Sequence, residues 1–330
     1  MGVVSLAECA HLLACPGCRS PLASYNGAYE CRNTSCRLSR NPFPMIAGVW
    51  PALVDFDNSV LALPELMQSR GASAIRRDYA QRSKLRAALG RMLNPSNIVA
   101  ERIVRRLLSM LRERPAQATF RQPLVLVIGG ATIGSGLEEL YTDDISVLSF
   151  DIYQSAYTQL IADAHQIPLQ NASVDAVVIQ AVLEHVLEPW TVCREIHRVL
   201  RPGGFVFADT PFLQQVHEGP YDFTRFTESG HRYLFRDFEE IESGVGAGLG
   251  SQLLWSIDYF VRGVFRSREL GLSARLLMSW LARLDGFAGK EFSVDGACSV
   301  YFLGTRSETP IGPKDIVSRY RGAQKPPQRR

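Results

Sequence analysis

Two groups of residues have the types and spacing to do chemistry. Cys15 and Cys18 enclose a Pro-Gly pair, and Cys31 and Cys36 follow with four residues between them. Four thiolates presented from two turns can surround one tetrahedral zinc ion. Five of the seven cysteines fall before residue 40, which is the distribution of a metal module and not of a disulfide framework in a reducing compartment. A structural zinc on Cys15, Cys18, Cys31 and Cys36 is therefore predicted. Cys9 and His11 read as part of a small apolar segment packing on this module, and Cys193 and Cys298 as core thiols. The second group lies in ADTPFLQQVHEGPYDFTRFTESGHRYLF, dense in His, Glu, Tyr, Asp and Arg. A histidine side chain ordinarily titrates near neutral pH, so His217 is the candidate base, with Glu218 a weaker one unless buried. Asp222 is placed to orient the imidazole, Arg225 to hold an anionic acceptor or to pair with Asp222, and Tyr221 to take part in recognition. His185 in LEHV competes for the role of base. Thr227 or Ser229 caps a helix running to Phe235.

The elements that would position these side chains lie between Pro123 and Phe212. PLVLVIGGATIG is an apolar run that breaks into glycines, and SVLSFDIY is a second run ending on Asp151, so the pair reads as strand, turn, helix, strand. A glycine turn lets the backbone approach a ligand, and a carboxylate ending the next strand can accept both hydroxyls of a ribose. VDAVVIQ, the helix TVCREIHRVL and RPGGFVFADTPF continue the βαβ spacing. FEEIESGVGAGLG and GACSVYFLGTR supply a sixth and a seventh strand. Between them, SQLLWSIDYFVRGVF and LSARLLMSWLARL form a helical insertion at about residues 249–290. Loops at the carboxyl ends of parallel strands are where α/β enzymes place substrate chemistry, which puts the His217 loop at the expected site.

The segment from about Gln122 to Thr305 resembles the class I S-adenosylmethionine-dependent methyltransferases, most specifically over Ala162–Leu169 and Gln180–Phe207. The resemblance implies an α/β fold, a doubly wound, seven-stranded, mostly parallel sheet. It also implies that Gly129, Gly130 and Gly134 lie under the methionine moiety of S-adenosyl-L-methionine, that Asp151 holds the ribose, that Asp163 and Ala164 meet the adenine, and that Gln180 opens onto cofactor and substrate. The first motif departs from the family pattern at Val127, Ala131 and Ile133. A β-branched residue tolerates a positive φ badly, so the turn is expected to re-register onto Gly134 and Gly136. The cysteine module, with NPFPMIAGVWPALVDF after it, resembles short zinc ribbons, some of which are activator subunits of methyltransferases. The segment around Tyr221 is similar to that of bacterial methyltransferases carrying a His-x-x-Pro-Tyr-Asp-x-x-Arg-Phe-Thr pattern.

The remaining features set the organisation. At 330 residues, with 46% hydrophobic and 21% charged residues and a formal charge of +3, the chain can bury a full core. It shows neither a signal pattern nor a long charge-free apolar run, so a cytoplasmic location is expected. The predicted domains are a zinc ribbon over 1–56, a basic helical linker over 57–121, a methyltransferase domain over 122–306 that folds without the ribbon, and a disordered tail over 307–330. Residues 61 to 121 hold thirteen Lys/Arg against four Asp/Glu. Within them IVRRLLSMLRE reads as an amphipathic helix, with Ile103, Leu107 and Leu111 on one stripe, Asn94 as N-cap and Pro95 in the first turn. Its basic face reads as solvated; nucleic acid is not favoured, because no aromatic residue is interleaved. The insertion reads as a cover for the cleft or a dimer contact, and its Trp255, Phe260, Phe265 and Trp280 among arginines also suit a membrane interface. The function expected is methyl transfer to a small-molecule or glycan- or lipid-linked acceptor. The rivals are an RNA or protein methyltransferase and a non-catalytic scaffold.

Overall fold

The computed structural model describes residues 2–25, 27–68, 97–114 and 122–324. Over the first sixty residues, prolines and glycines cut the chain into pieces too short to bury a core of their own. Two small antiparallel hairpins result, β1 (Leu22–Tyr25) with β2 (Ala28–Cys31), and β3 (Met45–Ile46) with β4 (Trp50–Pro51). Their apolar residues look elsewhere for cover. Cys9, Leu13, Tyr29, Phe43 and Leu53 are buried in the same hydrophobic cluster as Leu126, Leu148, Phe150 and Leu160 of the main sheet.

That sheet is built from β5 (Leu124–Ile128), β6 (Ser146–Asp151), β7 (Leu160–Ile161), β8 (Val174–Gln180), β9 (Leu200–Pro211), β10 (Phe238–Ala247) and β11 (Ser299–Arg306), in the order β10-β11-β9-β8-β5-β6-β7. Only β11 runs against its neighbours, so the sheet is seven-stranded and mostly parallel. LVLVI in β5 is apolar throughout because both faces are covered: Leu124, Leu126 and Ile128 enter one core, Val125 and Val127 the other. Helix Ile98–Arg112 covers the second face with Ile103, Val104, Leu107, Leu108 and Leu111. Its cap is Asn97, whose side chain accepts from the Ala100 N–H, and the expected Asn94 and Pro95 lie outside the described residues. The helix's arginines are engaged within the chain: Arg102 and Arg106 pair with Glu242, Arg105 with Glu101 and Glu139, and Arg112 with Asp144.

Three expectations are corrected. First, no α-helix follows β5. Gly134 and Gly136 interrupt the segment, leaving a single 3-10 turn at Glu138–Leu140 before β6. No helix separates β6 from β7 either. Second, the ribbon is packed against the sheet and shares its core. Val3 pairs in parallel with Val147 of β6, Ala52 with Ile161 of β7, and Leu13 bridges Leu169, so the ribbon covers sheet edge and face that the absent crossover helices leave open. Third, residues 307–324 are not a disordered tail. Helix Pro313–Ser318 is followed by Arg319 and Arg321, both paired with Glu240, and the Tyr320 hydroxyl donates to Asp295 at 2.7 Å.

Between β10 and β11 run helices Leu249–Phe265 and Arg268–Leu277, a 3-10 segment Ser279–Phe287 and helix Lys290–Gly296. Asp285 caps the first of these through the Gly250 N–H at 2.6 Å. Phe260, Phe265, Leu277 and Phe287 stay exposed on this insertion. Among the described residues no helix is long and apolar enough to cross a membrane.

Candidate functional site

In an open parallel sheet the ligand cleft lies outside the carboxyl ends of the strands where the connection order reverses, here between β5 and β8. At the end of β5, Gly129 takes φ +78° and a Cβ there would sit 2.2 Å from Val182 Cγ2, so only glycine fits. The Gly129 and Gly130 N–H groups both donate to the Phe150 carbonyl, at 3.0 and 3.1 Å. At the end of β6, Asp151 accepts from the Ala131 N–H at 2.9 Å and from the Tyr153 N–H at 3.2 Å. The glycine turn and this carboxylate are thus locked together. Of the two later glycines, Gly136 takes the positive φ, +84°, against the backbone of Asn97 and Glu101, which relieves Ile133 of it. Gly134 instead faces the Gln180 side chain, and Gln180 Nε2 donates to the Ser135 carbonyl at 3.2 Å.

Asp163 lies beyond β7 and is committed to the fold. It accepts from the His165 N–H at 2.9 Å, capping the 3-10 turn Ala164–Gln166, lies 2.5 Å from His165 Nδ1, and takes the Ser59 hydroxyl at 2.5 Å. Burial alone would raise its pKa; the His165 contacts and Ser59 reverse that and lower it. A groove of about 390 Å³ runs along Ser59, Asp163, Leu187 and Glu188.

After β8 the chain turns sharply at Ala181, a non-glycine residue at φ +52°, which is uncommon and strained. This turn carries the 3-10 segment Leu183–His185 under the loop that follows β9. There Phe223 N–H donates to the Glu184 carbonyl at 2.8 Å and His185 Nδ1 lies 2.8 Å from the Tyr221 carbonyl. Glu184 itself is 0% exposed, and neither carboxylate oxygen has a hydrogen-bond partner. Burial, with Asp209 and Asp222 adding to it against the pull of Arg225, pushes its pKa up to about 8. His185 Nε2 and His217 Nε2 stand 3.5 and 3.7 Å from Glu184 Oε1, and the two rings meet edge to face at 4.9 Å.

Asp222 orients His217 from the other side. It accepts the His217 backbone N–H at 3.0 Å and lies 3.4 Å from His217 Nδ1. Its burial is outweighed by Arg225 and His217, which bring its pKa down to about 2. Arg225 is not available to an anionic acceptor: its five N–H donors go to the carbonyls of Gln214, Gln215 and Thr224 and to both oxygens of Asp222. Glu218 is exposed, and Tyr221 is 45% exposed and enters the site only through its carbonyl. The insertion helix braces this loop, Tyr259 Oη donating to the Val216 carbonyl at 2.5 Å and Gln215 Nε2 to Ser256 Oγ at 3.1 Å. Sequence reasoning weighed His185 and passed over its neighbour Glu184; the available signal was a carboxylate at the carboxyl end of a parallel strand.

In the ribbon the four cysteine sulfurs lie within 4.8 Å of one another, with Cys15–Cys36 at 3.8 Å and Cys18–Cys31 at 3.5 Å. Ligands about 2.3 Å from a tetrahedral zinc stand about 3.8 Å apart, so the donor set and its spacing suit that ion. A groove of about 740 Å³ beside it is lined by Arg19, Arg37, Asp55 and His165.

The fold is a seven-stranded, mostly parallel sheet with a glycine turn and a strand-end carboxylate at its reversal point. Residues 131–208 match the family model described as a methyltransferase domain. The chain is 39% identical over 75 residues to an uncharacterized chloroplastic methyltransferase of Arabidopsis thaliana, a match covering 23% of this chain and 20% of that one. It thus spans about a fifth of the length of the curated relative it matches. Among solved structures it is similar to a SAM-dependent methyltransferase from Archaeoglobus fulgidus, at TM-score 0.41 and 12% identity over 66% of this chain and 97% of that one. It is also similar to the 1,6-didemethyltoxoflavin-N1-methyltransferase of Burkholderia thailandensis, at TM-score 0.38 and 15% identity over 76% and 93%. Likeness this loose carries no argument about function.

Proposed function

We propose that this chain is an S-adenosylmethionine-dependent methyltransferase whose acceptor enters between the glycine turn and the His217 loop. One observation carries the reading: the segment that matches a methyltransferase domain, residues 131–208, begins directly after Gly129 and Gly130 and holds Asp151, Gln180 and Glu184. Asp151 suits a ribose, since a carboxylate ending the strand beside the glycine turn can accept from sugar hydroxyls. Gly129, Gly130, Gly134 and Gln180 would line the cofactor, with Asp163 and Ala164 behind its far end, where Ser59 now holds the carboxylate. When bound, the sulfonium supplies an already activated methyl group, so the protein's share is alignment and, for a protonated acceptor, removal of a proton.

His217 is positioned to take that proton at Nε2, with Asp222 holding the opposite edge of the ring. The acceptor we favour is a small molecule or a glycan- or lipid-linked group. The arginines of helix Ile98–Arg112 pair within the chain, which disfavours nucleic acid. We further propose that Cys15, Cys18, Cys31 and Cys36 hold one structural zinc, and that the ribbon serves as part of the catalytic domain's core rather than as a separate recognition module. The test uses labelled S-adenosylmethionine with fractionated host extract. His217→Ala should lower turnover by about 10²-fold or more while calorimetry still shows S-adenosylhomocysteine binding. Turnover within about twofold of wild type would make His217 structural. Absence of any binding heat from the wild type at millimolar ligand would favour a non-catalytic scaffold.

A further inference from the structure

Glu184, His185 and His217 present three acceptor atoms to one point. The Tyr221 carbonyl, which can only accept, lies 2.8 Å from His185 Nδ1, so that nitrogen carries the hydrogen and Nε2 carries a lone pair. His217 Nδ1 faces two acceptors, Asp222 Oδ2 and the Gln215 carbonyl, each at 3.4 Å, which again leaves a lone pair on Nε2. Both lone pairs lie toward Glu184 Oε1, at 3.5 and 3.7 Å. These separations are long for hydrogen bonds but close to the roughly 3.4 Å between donor atoms that share a tetrahedral ion at about 2.1 Å. Glu184 is 0% exposed and its carboxyl oxygens have no hydrogen-bond partner, so the ionised form would need a bound cation to offset its burial.

We propose that Glu184, His185 and His217 hold a divalent first-row transition-metal ion, distinct from the ion of the cysteine cluster, with open positions for oxygen atoms of the acceptor. Two imidazoles and one carboxylate form a donor set that suits manganese, iron, cobalt or zinc, and three protein ligands leave coordination positions for a substrate. The two histidine side chains are 20% and 23% exposed, so the ion and an acceptor can reach the site from solvent. Asp222 and the Tyr221 carbonyl occupy the outer ring nitrogens, as partners of metal-bound histidines do. With the ion bound, His217 Nε2 would be occupied as a ligand and would not take the acceptor's proton; an acceptor chelating through a hydroxyl would instead lose that proton to solvent, more readily on the ion than in water. That consequence rests on the methyl-transfer reading; the ion itself does not.

The experiment uses the full chain with its cysteine site loaded with zinc, titrated with Mn2+ and followed by electron paramagnetic resonance of the free ion. The wild type should bind one Mn2+ at submillimolar concentration. His217→Ala and Glu184→Gln should each weaken it by more than about 100-fold, beyond the 10–100-fold that loss of an outer partner costs. Glu184→Gln removes a buried charge without changing shape, so it keeps a folded comparison available should the alanine variant misfold. No Mn2+ bound at millimolar concentration, or equal binding by wild type and Glu184→Gln, overturns the proposal. S-adenosylhomocysteine calorimetry in parallel separates the two readings: heat without manganese overturns the ion alone, and manganese without heat overturns methyl transfer alone.

Discussion

Leu13→Ala in the ribbon should destabilise the central sheet. Leu13 is 0% exposed and belongs to the cluster that contains Leu126, Leu148 and Phe150. Removing its isobutyl group from such a site costs about 3 kcal/mol, near the low end of measured leucine-to-alanine series. Five backbone hydrogen bonds also cross between residues 2–56 and the sheet domain: Gly2 with Val147, Val4 with Val147, Leu12 with Gln170, Ala14 with Pro168 and Leu53 with Ile161. At about 1 kcal/mol net each, they and the shared apolar burial amount to a large part of the 5–15 kcal/mol that holds a whole domain. Ribbon and sheet should therefore unfold as one unit, and stripping the metal from the cysteine cluster should lower the midpoint of that single transition. The assay is amide hydrogen exchange of peptides covering Leu124–Ile128, a strand buried at every residue. A loss of about 3 kcal/mol in global stability speeds exchange there by about 100-fold. Faster exchange confined to residues 2–56, with the β5 peptides unchanged, would refute a shared core and restore the picture of a detachable module.

Asp151→Asn should weaken S-adenosylhomocysteine binding by about 1.5–3 kcal/mol, the scale of hydrogen bonds to a charged group; unaltered calorimetric affinity would remove Asp151 from the cofactor site. Arg225→Lys cannot reproduce five directed donors and should cost about 2 kcal/mol of stability in urea titrations, whereas a purely acceptor-binding arginine would change only KM. His231 is buried and neutral, held by burial and then by Arg232 at a pKa of about 3 against the ordinary 6.5. The unfolded chain therefore binds the extra proton between those values, and stability falls as pH falls through that window. Wild type should lose ~2 kcal/mol more than His231→Gln between pH 7 and pH 5, and parallel pH curves for the two proteins would refute this. In elemental analysis the Cys15→Ser, Cys31→Ser double variant should lose the one zinc expected of the cluster; unchanged metal content would refute the ligand set.

Much of the frame is legible in the sequence because its signals are local. Apolar runs such as LVLVI, the glycines after them and the spaced cysteines each carry their cause within a few residues. Features decided by distant partners leave no such mark. Asp163 is held by Ser59, 104 positions away, and three of the five acceptors of Arg225 contacts lie on backbone carbonyls, which any residue supplies. Ordering of residues 307–324 depends on Glu240 and Asp295, invisible in a segment that is polar and proline-rich by composition.

The absent crossover helices show how the local and distant levels meet. From Asp151 to Leu160 the chain has room for a turn and no more, a fact open to reading in the sequence once the strand ends are fixed. A parallel pair joined so briefly leaves one sheet face bare, and a bare face of Leu148, Phe150 and Leu160 must be covered. The ribbon supplies that cover. Its residues Leu13 and Leu53 reach that face because the cysteine turns fix the backbone between them. The same docking sends the segment after β4 along β7 and delivers Ser59 to Asp163. The shortened sheet, the ribbon and the altered wall beyond β7 are thus consequences of one another, so restoring a helix between β6 and β7 without removing the ribbon should produce a clash at Ala52–Ile161 rather than a more stable protein.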